Sequence, residues 1–317
     1  MIQMNRLPIK ILPSSRRTLV RPFVPGSESQ VEHILFRIFS KSEEERNRIL
    51  DNIYDRIEVP LEMTKNIFRK HFKNVQHRIP SNLEMTDEDQ QFIGAFFTQQ
   101  YALESTALFN PSIVPHPVQD KEGALRFIIS LRAIGEGHIS SITFMEGEID
   151  AQFNITLSEN SPVIHEPERK EHLYDREVIR KKSHELGILT SLNRPLFELL
   201  PNEFTFEDLT TAIHKIVRGN TFTNREELQV SLNSIRTLVL SNFTLNFSSD
   251  DITERAIYPA SPSQSNGLED ARFVQFTRDD GSKVYYATFT AYNGKTIMPE
   301  MLETTDFKEF KVSTLSG

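Results

Sequence analysis

Residues 267–317 read GLEDARFVQFTRDDGSKVYYATFTAYNGKTIMPEMLETTDFKEFKVSTLSG. Strand-type residues run through Ala271–Arg278 and Lys283–Ala291, and Asp280-Gly281 separates the two runs. That dipeptide between two such runs is a strong hairpin signal. Asn293-Gly294 makes a second tight turn before Lys295–Leu302, and a last short strand fits Phe310–Thr314. Four antiparallel strands joined by short turns form a meander, either one blade of a β-propeller or one sheet of a sandwich. The chain is therefore expected to be mainly β with substantial helix.

Upstream, Leu125–Leu131 is an almost continuous apolar run, and Ile139–Met145 and Ile149–Ile155 follow, with Gly147 expected at the turn between them. Residues 161–173 are polar and proline-bearing, and are expected to be a loop. Helix is expected over 31–109 and 174–240. Ser42 with Glu45 reads as a capping box, followed by the apolar face Ile49, Ile53 and Ile57, which Pro60 should stop. Thr86 caps a second helix whose face is Phe92, Ile93, Phe96, Phe97 and Tyr101. Thr205-Phe206-Glu207-Asp208 and Thr223-Asn224-Arg225-Glu226 read as two further caps. Residues 1–30 are basic and extended. No convincing sequence repeat is found.

Composition bounds the chemistry. The 317 residues are enough for about two domains. With no cysteine, a disulfide scaffold, a thiolate zinc site and a cysteine nucleophile are excluded. The net charge of −8 argues against a phosphate-backbone binder, so no nucleic acid is expected. Only 12 glycines are present and no P-loop, which argues against a glycine-rich nucleotide cradle. No run of 18 apolar residues and no signal-peptide core are seen, so no membrane span and a cytoplasmic location are expected.

Three places carry residues suited to chemistry. Glu269 and Asp270 precede the first meander strand, and Arg272 would share a face with Asp270 on a regular strand. By spacing alone, a surface ion pair is the plainer reading. Arg132 ends the apolar strand at Ser130-Leu131-Arg132; it needs an anionic or hydroxyl-rich partner, or is satisfied by Glu136 or carbonyls. Asn110, before Pro111, is expected outside the α region, ending a helix. The histidines lack metal-ligand spacing, and His214 reads as structural.

Taken in order, Phe109-Asn110-Pro111, Ser130-Leu131-Arg132, Gly267-Leu268-Glu269-Asp270-Ala271-Arg272 and Thr290-Ala291-Tyr292-Asn293-Gly294 resemble glycoside hydrolase family 130, the mannoside phosphorylases and related β-mannosidases. The likeness covers about residues 109–155 and 266–317. It implies a five-bladed propeller, present here in part, with an N-terminal helical extension and a helical insertion. It also implies inverting cleavage of a β-mannosidic bond with Asp270 as general acid. Asn110, Arg132, Glu269, Arg272 and Tyr292 then bind substrate. Ala271 stands where many members have proline. No cofactor or metal is implied, but inorganic phosphate is the co-substrate if the reaction is phosphorolysis. The partner is a β-mannoside oligosaccharide, and the oligomeric state is left open.

The regions expected are 1–109, a basic arm and helices; 110–160, first propeller strands; 161–240, the insertion; and 241–317, a blade with the Glu-Asp-Ala-Arg motif. Five blades of four strands need about twenty strands, so the chain is expected to be an amino-terminal portion of a longer protein.

Overall fold

The structure is a computed structural model and describes residues 7–316, apart from 58, 121, 171 and 220–224. The cap expected at Thr223 lies outside the described residues. Strand β1 (Ser14–Pro22) is followed by four helices, α1 (Glu28–Phe39), α2 (Glu43–Tyr54), α3 (Leu61–Lys73) and α4 (Asp87–Phe96). The expected capping box of Ser42 with Glu45 opens α2, and the cap expected at Thr86 opens α4 and proves to be a capping box with Asp89. Each serves two amides that have no partner inside the helix. The helices enclose their own core around Phe68, Phe72, Phe92 and Phe97.

Two boundaries differ from expectation. Helix α2 ends at Tyr54, before Ile57, and Pro60 instead caps α3 with extended backbone. The helical region ends at Phe96, because Thr98–Glu104 is strand β2, paired antiparallel with β1. Tyr101 is thus a strand residue packed on Tyr258, not part of the α4 face. Its spacing from Phe97 mimics a helical stripe, but the pairing partner lies about 80 positions upstream in β1 (Leu19↔Tyr101) and no local pattern reveals it.

The β scaffold follows as β3 (Ala107–Pro115), β4 (Leu125–Ile134), β5 (Ser140–Ile149) and β6 (Ile155–Leu157). The expected turn at Gly147 is corrected, since β5 runs straight through it to Ile149. Gly147 is glycine because a Cβ there would lie 2.3 Å from the Phe127 ring. A strand glycine under an aromatic ring marks close approach rather than reversal. The segment expected as loop holds two short strands, β7 (Val163–Ile164) and β8 (Glu168–Lys170).

The insertion is not helix throughout. It comprises β9 (Tyr174–Asp175), α5 (Arg176–Glu185), α6 (Arg194–Leu199), β10 (Glu203–Phe204), α7 (Phe206–Gly219) and α8 (Arg225–Leu240). Thr205 caps α7 by exchanging hydrogen bonds with Asp208. These elements form a second separate core around Leu196, Phe204, Leu209 and Leu232. With two helical cores, helix and strand are nearly equal at about 35% and 33%, which corrects the expectation of a mainly β chain.

The remaining strands are β11 (Phe243–Asn246), β12 (Ala256–Ile257), β13 (Gly267–Thr277), β14 (Lys283–Tyr292), β15 (Ile297–Thr304) and β16 (Glu309–Thr314). The meander read from 267–317 is present, with Gly281 and Gly294 at positive φ in its turns. Strands β3–β6 make a first antiparallel meander and β13–β16 a second, which β11 and β8 extend. The two join edge to edge through a parallel pair, Gly267 with Ser140. Otherwise their faces pack together. Phe144 of β5 is fully buried between them, stacked on Phe310 at 5.7 Å and edge-on to Phe273 and Phe307.

One buried histidine gives the fold a pH dependence. His71 of α3 is 2% exposed and its Nδ1 meets Thr98 Oγ1 at 2.7 Å. The Thr98 hydroxyl donates to the Gly94 carbonyl, so its oxygen is free to accept from the imidazole. Burial, with Lys70 adding a smaller push, lowers the imidazole from 6.5 to about 4. The unfolded chain therefore binds more protons between those values, and stability falls as pH drops from about 6.5 toward 4. The loss amounts to roughly 3 kcal/mol at the low end. Urea unfolding at pH 7 and pH 4.5 should show the gap between the parent and His71→Asn shrinking as pH falls. A gap independent of pH would exclude the neutral buried imidazole.

Candidate functional site

Two β-bulges lie side by side on the first strands of the two meanders. In β3 the register shifts between Phe109 and Ser112, so Asn110 and Pro111 oppose a single β4 residue. In β13 it shifts between Glu269 and Arg272, so Asp270 and Ala271 oppose a single β14 residue. Asn110 has φ 50° and Asp270 φ 57°. Asn and Asp are the L-residues that best tolerate this left-handed conformation, through their short polar side chains. Leu108-Phe109-Asn110-Pro111-Ser112 and Leu268-Glu269-Asp270-Ala271-Arg272 thus occupy equivalent places. The repetition is structural and too degenerate to register as a sequence repeat.

Asn110 lies inside β3, which corrects the expectation that it ends a helix. The bulge turns its side chain toward β13, where Nδ2 donates to Asp270 Oδ1. Ser112 Oγ accepts from the Phe273 amide at 2.9 Å, and the Tyr285 hydroxyl donates to the Pro115 carbonyl at 2.9 Å. Side chains, rather than a ladder, hold β3 against β13 and β14. The approach begins at Gly267, with φ 134° and space for a Cβ only 2.8 Å from the Ser140 amide nitrogen.

Arg132 is the hub. Its guanidinium donates to Glu269 Oε1 at 2.6 Å, to Asp270 Oδ1 at 3.4 Å and through Nε to Ser140 Oγ at 3.1 Å. The open choice at Arg132 resolves to an acidic partner 137 positions away, not to Glu136. The Glu136 carbonyl accepts from Tyr101 instead. A guanidinium braced on three sides is a fixed charge with a fixed orientation. Arg272 does not clamp Asp270, because the bulge breaks the alternation between them; it donates to the Pro111 carbonyl at 2.9 Å.

Tyr292 pairs with Gly267 across the ladder, on the face that carries Glu269, Thr290 and Arg272. It is half-buried, and no hydrogen bond among the described residues joins it to the cluster. Five of the six sequence-identified residues therefore converge, and Tyr292 lies two ladder rows along. No pattern in the sequence gives a role to Ser112 or Ser140, which hold the strands and Arg132. Their only signal was adjacency to Pro111 and to the Arg132 strand.

The assembly is an open ledge. The Asp270 side chain is 50% exposed, against 20% for Arg132 and 31% for Glu269. One carboxylate is thus accessible to a solute while the arginine behind it is anchored. No group of three or more His, Cys, Asp or Glu side chains fit to hold a metal ion occurs among the described residues. His214, expected to be structural, is exposed on α7. Comparison with models of known families, with curated proteins and with solved structures finds no match to this chain.

Proposed function

We propose that the ledge belongs to a carbohydrate-active enzyme that cleaves β-mannosidic bonds with inversion, by phosphorolysis. The observation that carries this reading is the convergence of Asn110, Arg132, Glu269 and Asp270. They are separated by up to 160 positions and share one hydrogen-bonded cluster. In this reading β3–β6 and β13–β16 are two blades of a five-bladed propeller, with their bulged first strands nearest the axis. Val274 and Ile297, 58% and 72% exposed on the outer side of the second meander, suit packing against a further blade.

The reaction needs a proton at the leaving oxygen and a nucleophile at the anomeric carbon. Asp270 gives its proton to the glycosidic oxygen as the C–O bond breaks. Inorganic phosphate attacks from the opposite face, and mannose 1-phosphate forms with inverted configuration. Inverting hydrolysis instead requires a second carboxylate roughly 6.5–9.5 Å across the site to activate water. The cluster's carboxylates are consecutive residues held by one arginine, which favours phosphate with a basic cradle. Asn110 and Arg132 orient the acid and the sugar.

Incubation with a panel of β-mannobioses should yield mannose 1-phosphate only when inorganic phosphate is added. Free mannose in phosphate-free buffer would make the chain a β-mannoside hydrolase. Binding without turnover is a second reading, favoured by the exposure of Asp270. It predicts saturable sugar binding and neither product.

A further inference from the structure

The helical insertion carries a cleft of about 590 Å³ between α7 and α8, separate from the carboxylate ledge. Its floor is apolar, with the exposed Val217 and half-buried Ile213 beside Leu228 and Leu232, which are themselves buried in the insertion's core. Its walls are cationic: Arg218 and Arg225 stand at one end and Arg236 at the other. No carboxylate lines it among the described residues, and the first-turn acids Glu226 and Glu227 of α8 are not in its walls. This inverts the balance of the whole chain, where 44 acidic residues face 36 basic ones. Arg236 is held over the Phe206 ring, 5.6 Å from its centroid, so its charge has a fixed place at the cleft's end.

We propose that this groove docks an acidic amphipathic helix of a partner protein. From Arg225 to Arg236 the wall rises about 16 Å along α8, at 1.5 Å per residue. That matches roughly three turns of a third helix laid along the α7–α8 pair. Such a helix sets an i, i+3, i+4, i+7 apolar stripe on Val217 and Ile213, the apolar lining residues that keep exposed surface. Carboxylates flanking the stripe at each end meet Arg218 and Arg225, and Arg236. Cations at both ends of an apolar trough fit an elongated occupant with charge at both ends. A single-headed small anion would use one end only. The complementary field also speeds encounter and rejects basic helices.

The test uses two fluorescein-labelled 18-residue helices with the same leucine stripe, one flanked by glutamates and the other by lysines. Fluorescence anisotropy on the full chain should show the glutamate helix binding about tenfold or more tighter than the lysine helix. In the double variant Arg218→Glu with Arg225→Glu the preference should reverse. Gain of lysine-helix binding cannot come from misfolding, because a damaged groove would bind neither. Equal binding of both helices, or an unchanged preference in the double variant, overturns the proposal. Decanoate is tested in competition: displacement of the glutamate helix at equal or lower concentration would make the groove a small-anion site and also overturn it.

Discussion

If the ledge is the proposed phosphorolytic site, Asp270→Asn should lower β-mannoside phosphorolysis by about 10²–10⁴-fold, the usual contribution of a positioned general acid, while the protein unfolds at the same urea concentration as the parent. Asparagine is the informative replacement because of the backbone. Asp270 sits at φ 57°, and Asn110 occupies the equivalent bulge at φ 50°. The introduced amide oxygen can still accept from Asn110 Nδ2, and Arg132 keeps its 2.6 Å bond to Glu269. What is lost is the transferable acid proton, together with the carboxylate charge that faces Arg132 at 3.4 Å. Asp270→Ala would add left-handed strain of about 1–2 kcal/mol and confuse activity with folding. Retention of more than about a tenth of parental activity in Asp270→Asn, with the fold intact, would remove Asp270 from the role of acid.

Phe144→Ala should cost about 3–5 kcal/mol of folding stability. Phe144 is fully buried and touches Phe273 of β13, Phe310 of β16 and Phe307 between β15 and β16. It therefore packs three aromatic groups from the second meander onto the first. Truncation leaves a cavity that rigid neighbouring rings cannot fill, so the cavity penalty adds to the lost transfer energy. The same contact holds β5 against β13, so under the proposed function sugar binding should weaken as well. Urea unfolding by circular dichroism measures the loss, and Phe144→Leu should lose less. A change below about 1 kcal/mol would mean that the two meander faces are not packed through this residue.

The ledge joins local and distant causes. The strands that carry it are legible, because alternation and the turns at Asp280-Gly281 and Asn293-Gly294 depend on neighbours a few residues away. The helix caps at Ser42 and Thr86 are legible for the same reason. The failures share the opposite cause. Tyr101 continues an apparent helical stripe, yet its strand is set by pairing with Leu19. Gly147 looks like a turn residue, yet the Phe127 ring decides it. His214 looks like a core residue by its apolar neighbours, yet it is exposed beside the α7–α8 groove.

The site shows the same division. Sequence alone identifies Asn110, Arg132, Glu269, Asp270 and Arg272 as residues suited to polar chemistry, from their types and their places at strand ends and beside a proline. It also determines the antiparallel meander, since that follows from period-two patterning and turn chemistry. Partner choice was decided only in the tertiary structure. Arg132 takes Glu269 and Asp270 rather than Glu136, and Arg272 takes the Pro111 carbonyl rather than Asp270. A bulge shifts register and reverses which side chains share a face, and two bulges can meet only once the sheets have packed. That packing depends on Phe144 and its three ring partners, whose contacts span more than 120 positions of chain and leave no periodic trace in it.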